Sequence, residues 1–255
     1  MKEIWQYREL FRSLVVRDLK VKYQRSMLGL VWTLLNPLVM VAILISVFSY
    51  IVRIQINHYW AFLISGYFVW NFIAQGLNNA TSLLSEHASL SRSVYFPKEV
   101  LILSTAVSKL IEFFFEILIV IIIFIIFHFE TLPSSLIFVP FLIFLQLILV
   151  IGLMFPVAVF SVLFHDIQHA LPIAILSFFY LSPVFYNLDL IPESMRTLYC
   201  LNPFVGILRL YHQVLYEGVW PSMQLLGVVT LLYVAIFLLG YWIFNRYKGV
   251  CVEIA

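Results

Sequence analysis

The sequence predicts an all-α membrane protein with six transmembrane helices. Composition is the first reason. Of 255 residues, 63% are hydrophobic and 11% charged, with a mean hydropathy of +1.02, whereas a soluble surface for a chain this long needs far more charge. Run length is the second. Positions 26–52, 54–85, 131–165, 167–188 and 218–245 contain no Lys, Arg, Asp or Glu, and each exceeds the roughly 20 residues an apolar helix needs to cross a bilayer. A further stretch near 100–129 is interrupted only by Lys109, Glu112 and Glu116. Six such spans use more than half of the chain and leave no room for a separate soluble domain, so residues 1–255 read as one transmembrane domain.

Residues 1–25 read as an interface helix. Between 4 and 24, apolar Tyr7, Leu10, Phe11, Leu14, Val15 and Leu19 recur at helical spacing, while Arg8, Arg12, Arg17 and Lys20 are placed to reach water or lipid headgroups. This charged segment lacks the short apolar core and small-residue cleavage site of a signal peptide, so the first span is expected to act as its own signal and anchor. Spans are expected at about 28–52, 59–83, 101–127, 136–163, 170–186 and 225–244. Asn36-Pro37 and Pro156 predict kinks in the first and fourth. Between the fifth and sixth lies 187–224, too apolar for an ordinary loop and too broken by Pro192, Pro203, Glu217 and Pro221 for a clean span. Two short helices re-entering the outer leaflet fit both facts. Such backbone needs cover from protein or a water-filled cavity, which makes the segment a candidate gate.

The basic residues set the orientation. Lys2, Arg8, Arg12, Arg17, Lys20, Lys22 and Arg25 precede the first span. With the N-terminus inside, Arg92, Lys98, Arg246 and Lys248 are inside too, and only Arg53, Arg196 and Arg209 are outside. Both termini are therefore expected in the cytoplasm. Cys200 and Cys251 then face opposite sides, which excludes a disulfide between them.

Three constellations stand out. Residues 86–99 form a short polar connection between the second and third spans, with Glu86, Arg92, Lys98 and Glu99 offering polar contacts, Tyr95 and Phe96 apolar anchors, and Pro97 fixing the turn. A short helix there suits docking into a cleft of a partner; the same pattern also fits an ordinary charged loop. Lys109, Glu112 and Glu116 share one face of the third span. Lys109 and Glu112 can pair. Glu116 lies deeper without a local partner, as packing against another helix or a proton relay would have it. Aromatics make up 17% of the chain. Tyr59, Trp60, Tyr67 and Trp70 in the second span and Tyr180, Phe185 and Tyr186 near the end of the fifth form a polar-tipped subset. Such rings fit an interfacial belt, or a channel in which sugar C–H faces pack on rings and hydroxyls bond to their polar tips.

No phosphate loop G-x-x-x-x-G-K-[ST], no H-E-x-x-H, no G-x-S-x-G and no metal-spaced Cys/His cluster occurs. His165 and His169 could share a helix face, but two His without a third ligand do not make a metal site. No catalytic residue, resident metal or cofactor is expected, and nothing points to nucleic acid. ATP and Mg, if used, must be bound by another chain.

Six blocks occur in order: Arg17-Asp18-Leu19-Lys20-Val21-Lys22-Tyr23 running into Ser26-Met27-Leu28-Gly29; Ser93-Val94-Tyr95-Phe96-Pro97-Lys98-Glu99-Val100-Leu101; Phe164-His165-Asp166-Ile167; Leu181-Ser182-Pro183-Val184-Phe185-Tyr186; Ile191-Pro192-Glu193; and Leu201-Asn202-Pro203. Together they resemble the membrane subunit of type-2 ABC (ABC-2) exporters, polysaccharide branch: the O-antigen exporter permeases (Wzm) and their capsule and teichoic-acid relatives. The resemblance implies a homodimer with two separate ATPase subunits, exporting a lipid-linked glycan across the bacterial inner membrane. It implies that Arg17, Asp18, Lys20, Arg92, Tyr95, Phe96, Pro97, Lys98, Glu99, His165 and Asp166 couple to the ATPase, with 86–99 as the coupling helix. It also makes Pro192, Glu193, Asn202 and Pro203 part of an outer gate. The family usually has Arg where this chain has His165, so a permanent charge is missing from the second inner turn. The alternatives are export of teichoic acid, capsule, a drug or a small lipid by the same machinery, or an ion-coupled carrier or membrane enzyme. The outer Asp189, Glu193, His212 and Glu217 show no catalytic spacing, and a carrier's two related halves are not found.

Overall fold

The computed structural model describes residues 6–23, 31–87, 96–127 and 133–254, and these are helical, with no strand among them. In order they form α1 (Arg8–Tyr23), α2 (Val31–Ser46), α3 (Tyr59–Glu86), α4 (Glu99–Phe127), α5 (Val139–Leu163), α6 (Ile167–Tyr180), α7 (Glu193–Cys200), α8 (Pro203–Tyr211) and α9 (Met223–Ile254). A π turn, Val47–Ile51, extends α2, and another, His212–Tyr216, extends α8.

Four helical segments are long and apolar enough to cross a membrane: Leu34–Ile51, Glu99–Phe127, Ser134–Leu163 and Met223–Cys251. The protein is thus a multi-pass membrane protein. The second and fifth expected spans fall short of that measure for different reasons. α3 has 28 residues and lies at the centre, with 17 of them buried. It is packed against α2, α4, α5, α6 and α8, so it can carry Asn71, Gln75, Asn78 and Asn79 from its middle onward. α6 is apolar but has only 14 residues, about 21 Å at 1.5 Å per residue. The helices run on through Pro37 and Pro156.

The N-terminal helix does more than lie on a membrane surface. Leu14 and Val15 are buried, and α1 packs on α4, leaving Arg8, Arg12, Arg17 and Lys20 exposed. The apolar stripe therefore has a protein surface beneath it.

α5 and α9 make the most intimate helix pair. A Cβ built on Gly240 would lie 1.9 Å from the Gly152 carbonyl oxygen, and one on Gly152 would lie 2.8 Å from the Phe237 backbone. Pro156 has no N–H to bond that carbonyl four residues back. The freed oxygen faces the Gly240 backbone. In lipid, where apolar surface gains nothing by leaving the solvent, close backbone approach at small residues is what holds helices together.

The two ends of this bundle differ. One gathers α1, the end of α3, the starts of α4 and α6 and the end of α9, and carries most of the charge. The other gathers the α2–α3 connection, the 134–138 turn and residues 181–222, and is rich in aromatic rings. Gln146 Nε2 bridges between them in mid-bundle, donating to the Val69 carbonyl of α3 at 2.9 Å.

Candidate functional site

At the aromatic end a broken backbone is fastened by one side chain. Asn202 caps α8: its Oδ1 accepts from the Phe204 N–H at 2.9 Å, and Pro203 occupies the first helical position, where a missing N–H costs nothing. Its Nδ2 donates to the Leu181 carbonyl at 3.1 Å and to Ser182 Oγ at 2.9 Å. Leu181-Ser182-Pro183 and Leu201-Asn202-Pro203, separate in the sequence, thus form one joint. Between them the chain makes two short helices. α7 is exposed at Pro192 and at Glu193, which lies 3.9 Å from Arg196. α8 buries Phe204, Val205, Ile207, Leu208, Leu210 and Tyr211.

Six of the seven aromatic residues singled out in the sequence meet around this joint. Trp70 lies between Phe179 (5.9 Å) and Phe204 (5.3 Å). Tyr67 meets Phe179 edge-on at 6.3 Å. Phe185 touches Phe48 (4.8 Å), Phe179 (5.4 Å), Tyr180 (5.7 Å) and Tyr186 (4.9 Å). The Tyr59 hydroxyl donates to the Phe185 carbonyl at 2.9 Å. The Tyr186 hydroxyl donates to the Tyr180 carbonyl at 3.0 Å, with the Tyr199 hydroxyl 3.3 Å away. Trp60 stands apart on Phe124 of α4, at 5.8 Å.

Accessibility divides this set. Tyr59, Trp70 and Phe185 are buried, Trp60, Tyr67 and Tyr186 half-buried, and Tyr180 fully presented. The buried rings hold the joint, and Tyr180 and its half-buried neighbours are the rings a ligand could reach. Phe48, Phe179 and Phe204 lie outside the set because, Phe185 apart, polar tips define it. His212, read from the sequence as one of the outer polar groups, belongs to the packed interior instead. It is buried and stacks on Phe62 at 4.0 Å, in space left by Gly66, whose added Cβ would meet His212 Nε2 at 2.9 Å.

At the charged end, a polar cleft of about 710 Å³ opens between α1, α3 and α4. Arg17 donates to Asp18 at 3.1 Å and bonds His87. The His87 Nδ1 lies 2.9 Å from the Leu83 carbonyl, so Nδ1 carries the proton and Nε2 accepts from Arg17. Thr105 donates to Asp18 at 3.4 Å. Lys109 bonds both oxygens of Glu112 at 3.2 Å. Beyond the cleft the polar seam continues, and Asn71 of α3 donates to the buried Glu116 at 3.3 Å. The partner that Glu116 lacks on its own helix is supplied by the neighbouring one.

The residues expected to meet an ATPase are divided between inside and outside. Lys20, His165 and Asp166 are exposed and Arg17 is accessible. Phe96 is buried within the chain's own core. Glu99 is buried as well, and its carboxylate accepts from Lys248 of α9 at 2.6 Å. Acidic Glu99 suits the N-terminus of α4, where the helix dipole favours negative charge, and Lys248 completes the pair. Lys98 lies over the Phe96 ring at 4.8 Å, and burial pushes its ammonium below the usual lysine range. Pro97 is half-buried in the turn. Arg92 and Tyr95 lie outside the described residues, as does most of the expected coupling helix.

Among the described residues no group of three or more His, Cys, Asp or Glu could hold a metal ion. Cys251 is a buried free thiol against the Val159 carbonyl at 3.8 Å.

Known proteins resemble this chain in sequence over most of its length. The chain is 28% identical over 245 residues to the O-antigen export system permease protein RfbA of Klebsiella pneumoniae, covering 94% of this chain and 93% of that one. It is 30% identical over 227 residues to the protein of the same name from Myxococcus xanthus, covering 88% and 86%. Residues 9–216, from the interface helix through the capped joint to the π turn after α8, match the ABC-2 type transporter family. The chain belongs to that family.

Proposed function

We propose that this chain is the membrane-spanning subunit of an ATP-driven exporter that moves a lipid-linked polysaccharide, O-antigen foremost, outward across the bacterial inner membrane. It works as a homodimer with two copies of an ABC ATPase, which bind the ATP and Mg. The single observation that carries the glycan reading is that relatives alike over nearly their whole length are O-antigen export permeases. The aromatic end supports it independently, because accessible rings such as Tyr180 and Tyr186 offer sugars weak, repeatable contacts that let each unit pass on.

In this reading α3 and α6 complete six spans. α3 is shielded by its neighbours and needs no apolar face toward lipid. The 181–186 turn carries α6 onward to the outer surface. The positive-inside bias puts both termini and the charged end in the cytoplasm. The exposed Lys20, His165 and Asp166 meet the ATPase, and the Glu99–Lys248 pair makes the starts of α4 and the end of α9 move as one body. The polar seam along α3 and α4 lets that motion reach Trp70 and the joint at Asn202.

Co-purification of the tagged chain with its ATPase, followed by ATP hydrolysis in lipid, tests the assembly. A stable complex is expected, with activity lost on Asp166→Arg. No partner and no nucleotide dependence would overturn the proposal and turn attention to Glu112 and Glu116 as parts of an ion-coupled carrier.

A further inference from the structure

The outer segments hold few cations, and two of them converge. Arg209 of α8 lines a groove of about 340 Å³ between α8 and α9, together with Gln213 and Gln224. Below this polar rim the wall is aliphatic, made by Val228, Val229 and Leu232 of α9. A second hollow of about 180 Å³ shares Val205 and Arg209 with the first and brings in Arg196 and Tyr199.

Charge and shape give this groove a direction. Among the described residues Arg209 has no ion pair or hydrogen bond to a side chain, and it is exposed. Arg196 is held loosely, 3.3 Å from the Ile191 carbonyl and 3.9 Å from Glu193. Asp189, the carboxylate lining the smaller hollow, is bonded by Asn187 at 2.8 Å. Beside the groove α9 exposes Val228, Leu231 and Leu232. A guanidinium pair above an aliphatic wall complements a phosphate above an acyl chain, and guanidinium prefers phosphate in two-point geometry.

We infer that the α8–α9 groove is a binding site for an anionic phospholipid of the outer leaflet, its phosphate on Arg209 and Arg196 and its acyl chain along Val228 and Leu232. A glycan is disfavoured here because the larger groove has no aromatic lining, in contrast to the ring cluster on the other flank of α8, where Phe204 meets Trp70. The lipid would therefore brace α8 on the flank away from Phe204, with Asn202 at the end of the groove. The outward placement of this groove rests on the orientation proposed above; the glycan assignment is not needed.

The test is lipid retention by the full chain, with its ATPase, in native mass spectrometry after reconstitution with phosphatidylglycerol, phosphatidylcholine or polyprenyl pyrophosphate. Phosphatidylglycerol is expected to be retained over phosphatidylcholine, and Arg209→Gln should lower its retention about tenfold, the effect of one charge-assisted contact. Val228→Trp, which fills the wall and leaves the charges, should lower it also. Arg53→Asn removes an outer charge outside the groove, at a left-handed position (φ 58°) that Asn tolerates, and should change nothing. Equal retention by wild type and Arg209→Gln, or an equal loss in Arg53→Asn, would overturn the site. Displacement of the lipid by inorganic phosphate alone would overturn the acyl-chain part. Arg209-dependent preference for polyprenyl pyrophosphate would make a polyprenyl carrier the occupant and overturn the phospholipid. The complex assembling normally in all these variants separates this outcome from failure of the transport proposal.

Discussion

At the charged end, α1, α3 and α4 meet through carboxylates, a guanidinium and side-chain amides around open space. At the aromatic end, α3, α6 and α8 meet through ring contacts and hydroxyl-to-carbonyl bonds with the rings closed on one another. Ionic contacts around a cleft can exchange partners at small cost, since water can enter and solvate them. A stacked and capped joint has one good arrangement and loses contacts when displaced. In the proposed cycle the charged end is the one suited to accept a push, and the aromatic end the one suited to switch between discrete positions. α5 and α9 form a frame that runs between the two ends.

The frame should give the largest effect when broken. Gly240→Leu drives a side chain into the Gly152 carbonyl and should cost about 3 kcal/mol or more; thermal unfolding in detergent should show both ends melting together. Next is the charged end alone. Lys248→Met leaves the buried Glu99 carboxylate without its cation, and because Lys248 is partly exposed the cost should be about 2 kcal/mol, below the range for a fully buried pair. Hydrogen exchange should rise at 96–109 and 244–254 but not at 181–211, and adding Glu99→Gln should restore part of the loss. The converse is Asn202→Ala, which removes the α8 cap and two tethers and should cost about 1–2 kcal/mol. Exchange should then rise at 181–211 with ATPase binding unchanged. The smallest effect is Tyr59→Phe, which deletes one buried hydroxyl bond to Phe185 and should cost about 1 kcal/mol. If Lys248→Met loosened the aromatic end as much as Asn202→Ala does, the division into two ends would be wrong.

Helix positions were legible in the sequence because charge-free runs and proline breaks act locally. The stretch 187–224 reads as two short helices because it is too apolar for a loop and too broken by Pro192, Pro203, Glu217 and Pro221 for one span, and the structure has α7 and α8 there. The pairing of Lys109 with Glu112 followed from spacing on one helix. What spacing could not supply was any contact across helices. Glu116 finds Asn71 45 residues away, and Glu99 looks like a surface acid until α9 brings Lys248 to it. The span count was legible only by length. A central helix such as α3 is shielded by protein and can be polar, which a hydropathy rule written for lipid-facing helices does not register. Phe185 apart, polar tips define the rings singled out in the sequence, so Phe179, which meets Tyr67, Trp70, Tyr180 and Phe185, falls outside them although it adjoins Tyr180.

In the proposed cycle the charged end receives the drive and the aromatic end passes the glycan. Simultaneous measurement of ATP hydrolysis and of lipid-linked glycan delivered into inverted vesicles, for wild type and Tyr180→Ala with the partner ATPase, tests it most directly. Hydrolysis is expected to persist in the variant while delivery falls severalfold. Delivery unchanged in Tyr180→Ala, or delivery by the wild type without ATP, would contradict it.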